Sequence, residues 1–256
     1  MILPTIFFGH GSPMNAIENN YYTKSWEALG RDLGKRLPKP KAILVISAHY
    51  ETDGTKITSG EQQKTIHDFY GFPQKLFDVK YEPRGSFELA KRVQKLLPEI
   101  QLDDSWGIDH GAWSVLLRTH PKADVPTLQL SIDKNKSPRE HYELAKKLQI
   151  LRGEGVLIIG SGNIVHNLRM MNSNIRRVYP WAIQFNDAVT KAIAEDDHEK
   201  IIEFKKLAGA RESAPTAEHF IPLIYILGLQ KKNEAAEIFC EGIEMGSIGM
   251  TSVKIS

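Results

Sequence analysis

Three of the nine histidines in this 256-residue sequence close short apolar runs. His10 follows Thr5-Ile-Phe-Phe-Gly9, and His49 follows Ala42-Ile-Leu-Val-Ile-Ser-Ala48. His166 stands shortly beyond Gly160, where the run Val156–Gly160 ends. In open α/β sheets, ligands collect outside the carboxyl ends of the strands. If the three runs are parallel strands, their imidazoles converge at one edge, however far apart they lie along the chain. His219 is a fourth candidate, in Ala214-Pro-Thr-Ala-Glu-His219-Phe. Pro215 marks the first turn of a helix there, and a first-turn imidazole points from the helix mouth toward the same edge. Neutral imidazole is the commonest side-chain metal ligand. Three or four together suit Zn, Fe, Cu or Ni and serve Mg or Ca poorly, since those want oxygen. Any one of these histidines alone is more often a hydrogen-bonded loop residue. Their coincidence at three strand ends is what points to a metal.

His110 is of another kind. Asp109-His110-Gly111-Ala-Trp113 reads as a helix entrance capped by Asp109, and a histidine there suits an acid or base beside the site. A structural loop contact explains it equally well. His67, in Ile66-His-Asp-Phe-Tyr-Gly-Phe-Pro73, sits in an aromatic loop that either lines a pocket or packs on its own rings. His120 precedes a proline, while His141 and His198 have charged neighbours, so all three are expected on the solvated surface. No G-x-S-x-G elbow, H-E-x-x-H or Walker loop occurs. Gly160-Ser161-Gly162 lacks the third glycine of a dinucleotide fingerprint and reads as a turn. Ser12 before Pro13 reads as a helix N-cap rather than a nucleophile, and Cys240 as a buried thiol.

The elements that must position these groups are equally plain. Ile2–Phe8, Ala42–Ser47, Pro126–Ile132 and Val156–Gly160 are short apolar-rich runs that read as buried strands, the first, second and last without polar alternation, as in strands buried on both faces. Helical periodicity marks Tyr22–Leu37, Phe87–Leu97, Gly111–His120 and Pro138–Leu151, the last opened by a capping box of Ser137 and Glu140. Further helices are expected at Trp181–Glu195, His198–Leu207 and Thr216–Gly228. Ala235–Gly242 and Ser247–Ile255 are expected to close the sheet as an antiparallel pair or edge. The fold class is therefore α/β: one domain over residues 1–256, with a central mixed, mostly parallel sheet covered by helices on both faces.

Composition narrows the function. Apolar residues make up 41% of the chain, enough for a sizeable core. Lys and Arg number 33 against 31 Asp and Glu, an even balance that argues against nucleic acid or an anionic membrane as partner. A single cysteine, no basic leader and no apolar run near ~20 residues lead to the expectation of a soluble, cytoplasmic protein.

The motifs together resemble the class III extradiol ring-cleavage dioxygenases, specifically their DOPA 4,5-dioxygenase-like branch. The likeness rests on Phe8-Gly9-His10-Gly11-Ser12-Pro13, Ile46-Ser47-Ala48-His49-Tyr50 and His67-Asp-Phe-Tyr-Gly-Phe-Pro73. It continues through Asp109-His-Gly-Ala-Trp113, Gly160-Ser-Gly-Asn163 with His166, and Glu218-His219-Phe-Ile-Pro222. The resemblance implies one non-haem divalent metal, Fe(II) for activity with Zn(II) as an alternative occupant, held by His10 and His49 with His219 and His166. His219 stands where the wider superfamily has a carboxylate and His166 where it has a base, so His166 is ligand, base, or each in turn. Glu218 is a further carboxylate, expected to point away from His219 on a shared helix. His110 is implied to assist as an acid near substrate or oxygen. Phe69, Tyr70, Phe72 and Trp113, with His67, are expected to contact the ring. The implied reaction opens a catechol such as L-DOPA with O2, outside its two hydroxyls, to a semialdehyde. A zinc hydrolase on the same histidines, or a non-catalytic metal-binding homologue, are the alternatives. The substrate's identity and the oligomeric state are not legible.

Overall fold

The computed structural model describes residues 1–172 and 177–256. Among these described residues ten strands form: β1 (Thr5–Gly9), β2 (Ala42–Thr52), β3 (Lys56–Thr58), β4 (Gln101–Asp103), β5 (Thr127–Asp133), β6 (Val156–Gly162), β7 (Ala236–Cys240), β8 (Ile243–Glu244), β9 (Ile248–Gly249) and β10 (Ser252–Ile255). Eight of them make one sheet in the order β4-β3-β5-β2-β6-β1-β10-β7. Its centre, β5-β2-β6-β1, is parallel throughout. On one flank β3 runs antiparallel to β5, and on the other β10 runs antiparallel to β1 and β7. The expected closing pair at the C-terminus is thus present. β8 and β9 stand apart as a small hairpin.

Alternation within the buried runs feeds two separate cores. Phe7, Leu44, Ile46 and Ile158 face the helix Ile221–Gly228 and its neighbours. Ile6, Phe8, Ile43, Val45 and Ile159 face Trp26 and Trp113 on the helices Tyr21–Arg36 and His110–Thr119. A strand whose side chains point alternately to two covered faces must be apolar at every position, which is why these runs show no polar period. The helix Pro138–Leu148 starts at the expected capping box, with Ser137 and Glu140 bonded reciprocally.

Several local expectations are corrected. β3 and β4 were not anticipated, since three residues carry no readable period. Gly160-Ser161-Gly162 is not a turn but the last part of β6. Its glycines are there for close approach: a Cβ on Gly162 would lie 2.2 Å from the His219 carbonyl oxygen. The helix expected from Thr216 begins only at Ile221, with Pro222 in its first turn, and residues 214–220 form an irregular turn. His219 therefore precedes the helix instead of sitting inside its mouth.

His141 is not on the surface. It is 1% exposed, with Nδ1 3.0 Å from the Tyr225 hydroxyl oxygen. Its charged sequence neighbours occupy the other side of an amphipathic helix. Burial pulls its pKa down from 6.5 to about 4. Between those values the unfolded chain binds a proton that the folded one refuses, so this contribution is complete above pH 6.5 and lost as pH falls toward 4. A His141→Gln variant should flatten the pH dependence of urea-unfolding stability across that window by up to about 1.4 kcal/mol per pH unit. An unchanged slope would contradict the assignment.

Candidate metal centre and active-site cavity

Five histidines meet beyond the carboxyl ends of the parallel strands. His10 directly follows β1, and its backbone N–H donates to the Gly162 carbonyl at 3.0 Å. His49 lies within β2, where the pairing with β5 jumps from Ile46↔Leu130 to Glu51↔Ile132. Such a bulge re-aims side chains beside active sites. His110 opens its helix behind the Asp109 cap. His166 follows β6 and is bridged to Ile248 by backbone pairing, and His219 ends the turn before Ile221–Gly228. Gly111 makes room for the cluster, because a Cβ there would stand 2.7 Å from the His49 ring.

Hydrogen bonding selects one tautomer for three of the rings. The Ser161 hydroxyl donates to the Gly111 carbonyl at 2.5 Å, so its contact with His10 Nδ1 at 2.9 Å must be one in which His10 donates. His49 Nδ1 lies 3.1 Å from Asp68 Oδ2, and His219 Nδ1 3.0 Å from Glu218 Oε1. A carboxylate only accepts, so both imidazoles carry their proton on Nδ1. Each of the three then presents a bare Nε2 lone pair. The Nε2 atoms of His10 and His49 are 3.2 Å apart, and the buried Nε2 of His219 has no hydrogen-bond partner among the described residues. Ligand atoms of the three lie within 4.8 Å of one another. Lone pairs so placed repel unless a cation sits among them. The donor set therefore fits a divalent metal, with each ligand oriented through its other nitrogen.

The electrostatics agree. Burial, and then the neighbouring histidines, hold His10 and His219 well below the ordinary histidine pKa, which keeps them neutral. Burial pushes His166 down to about 4. For His49 burial also opposes the charge, but the Asp68 hydrogen bond and the carboxylates of Asp109, Asp68 and Glu218 outweigh it and raise the pKa. Burial would raise Asp68, yet His110 and His49 together hold it far below the usual carboxylate range. His110 Nδ1 is 2.9 Å from Asp68 Oδ1, close enough to pair but not aligned for a hydrogen bond, while its backbone N–H donates to the same oxygen at 3.0 Å. Burial and the His49 charge outweigh Asp68, so the His110 pKa is lowered.

His166 stands apart from the converging trio. Its ring stacks on His219 with centroids 3.4 Å apart and planes 9° from parallel, and its nearest ligand-type grouping is with Glu218 and His219. Glu218 is not held away by a helix as expected, since residues 214–220 are not helical and its carboxylate reaches the His219 ring.

All five histidines border one cavity of about 540 Å³, within the range of small-molecule sites. Phe69, Tyr70 and Phe72 form one wall, and Leu168, Met171 and Ile248 contribute to another. His67 and Trp113 do not reach it. His67 Nε2 is tied to the Val79 carbonyl at 3.0 Å and Trp113 Nε1 donates to the Ile66 carbonyl at 2.9 Å. Both rings pack behind Phe69, so they brace the wall instead of touching its contents. Asp68 and Ser161 were not singled out from the sequence. The signal for Asp68 was its place beside His67 in the aromatic block; Ser161 gave none. A second cavity of about 310 Å³, bordered by Leu3, Leu33, Leu157 and His120, contains none of this cluster. No helix among the described residues is long and apolar enough to cross a membrane.

Comparison with known proteins follows the same line. Residues 4–255 match the family model described as the catalytic LigB subunit of aromatic ring-opening dioxygenase. The chain is 45% identical to a 4,5-DOPA dioxygenase extradiol of Escherichia coli (strain K12), covering 99% of this chain and 94% of that one. It is 36% identical to a 4,5-DOPA dioxygenase extradiol of Beta vulgaris, covering 100% and 97%. A crystal structure of an uncharacterized Escherichia coli K12 protein superposes with a TM-score of 0.86 at 41% identity, covering 99% of this chain and 100% of that one.

Proposed function

This chain belongs to the family of catalytic LigB subunits of aromatic ring-opening dioxygenases, and from that premise we propose that it opens DOPA or a related catechol on the extradiol side with O2. The single residue-level observation supporting a metal-dependent reaction is the convergence of three Nε2 lone pairs, on His10, His49 and His219. In this reading those three hold one Fe(II), and Zn(II) occupies the same site without supporting turnover. A metal held there would supply Lewis-acid activation of the catechol hydroxyls.

The protein's own groups do the rest. Ser161, Asp68 and Glu218 fix the ligating tautomers. His166, stacked beside the trio and outside it, is assigned as the base that takes a catechol proton. His110, paired with Asp68 and open to the cavity, is assigned as the acid that returns a proton to oxygen as the ring opens. Phe69 and Phe72, on one wall of the cavity, are assigned to lie against the ring, with the exposed Tyr70 at its edge. The experiment is an oxygen-electrode assay of anaerobically prepared apoprotein, loaded with Fe(II) or Zn(II) and given L-DOPA. Fe(II)-dependent uptake with a yellow ring-opened product is expected, and none with Zn(II). Metal binding without uptake on any catechol would overturn the reading.

A further inference from the structure

The cavity lining carries two chemically different groups. The histidines and Asp68 form one cluster, and the hairpin of β8 and β9 brings a further carboxylate, Glu244, to the lining. That hairpin is firmly held. Glu244 pairs with Ile248, which is itself bridged to His166, and the Asn172 N–H donates to the Met245 carbonyl at 3.1 Å. Met245 takes a left-handed φ of 48°, a conformation non-glycine residues adopt at a cost. Glu244 is partly buried, and its side chain makes no hydrogen bond or ion pair among the described residues. Burial, and then the nearby charge of Glu18, push its carboxyl above the usual range. Among the described residues lining the cavity there is no Lys or Arg to neutralise it.

A catechol held by its two hydroxyls at the histidines directs a substituent on the far side of its ring away from them. Among the described residues lining the cavity outside the histidine cluster, Glu244 is the carboxylate such a substituent can meet, and none of them offers it a counter-ion. We infer that Glu244 is the specificity-determining residue of the cavity, pairing with the cationic nitrogen of an amine-bearing catechol and disfavouring catechols whose side chain ends in a carboxylate alone. This rests on the catechol reading above. A half-buried carboxylate lacking a partner gains from an ammonium group both a charge-assisted hydrogen bond and relief of its desolvation.

The test is anaerobic calorimetry of the Fe(II)-loaded protein with dopamine, 4-methylcatechol and dihydrocaffeate, which carry an amine, neither group and a carboxylate respectively. The wild-type protein should bind them in that order of affinity. In Glu244→Gln the ratio of dopamine to 4-methylcatechol affinity should fall about 10- to 100-fold, the value of one hydrogen bond to a charged group, while dihydrocaffeate gains on both. An unchanged ratio, dihydrocaffeate binding as tightly as dopamine to the wild type, or no catechol binding at all would overturn the inference. Oxygen uptake by the same samples keeps the two ideas apart. Selective amine binding without uptake sinks the dioxygenase reading alone, and uptake with an unchanged ratio sinks only the role of Glu244.

Discussion

His219→Ala is expected to abolish metal-dependent oxygen uptake, lowering kcat/KM by about 10³-fold or more, because a metal's contribution to charge stabilisation amounts to several kcal/mol. The buried Nε2 of His219 has no partner of its own among the described residues, and its Nδ1 is anchored on Glu218, so the ring is committed to whatever lies between it, His10 and His49. Removing it leaves two of three converging nitrogens. Metal content after gel filtration should fall in parallel with activity, while the thermal midpoint of the metal-free protein changes little. Retention of tight metal binding would show instead that His166 and Glu218 complete the site.

Asp68→Asn is expected to cost about 10²- to 10³-fold in kcat/KM, with a separate loss of roughly 10- to 100-fold in metal affinity. One carboxylate lies 3.1 Å from His49 Nδ1 and 2.9 Å from His110 Nδ1, and also accepts the His110 backbone N–H. It thus orients a proposed ligand and the proposed acid at once. An asparagine has one acceptor oxygen where the carboxylate has two. One histidine must lose its carboxylate oxygen, and without the negative charge the His49 pKa falls from its raised position. Equilibrium titration with Fe(II) reads the ligand effect, and the pH profile of kcat reads the effect on His110. A variant that loses metal affinity with an unaltered pH profile would separate the two roles and remove Asp68 from the second.

The strands that carry the site were legible because burial on both faces makes them apolar at every position, and the histidines that end them were legible because they interrupt those runs. The same rule hid β3 and β4, which are too short to show a pattern, and it misplaced His141, whose charged neighbours share its sequence but not its side of the helix. The start of the last helix was misread at Pro215 because Pro222 serves the same first-turn role seven positions later, and a proline announces a helix entrance without saying which one is used.

By itself the sequence determined which residues carry metal-ligating chemistry, and that a parallel sheet would bring their strand ends to one edge. Those are matters of side-chain chemistry and of a period readable over a few residues. Tertiary structure alone decided which nitrogen of each ring is free, that His166 lies against His219 and outside the trio, and that Phe69 covers His67 and Trp113. It also set Asp68 between two histidines and Glu244 on the cavity wall. These outcomes depend on contacts such as Ser161 with His10 and Asp68 with His110, between groups 151 and 42 positions apart. No local pattern encodes such contacts, because the geometry that makes them comes from the β2 bulge, the close glycine approaches and the packing of helices on the sheet.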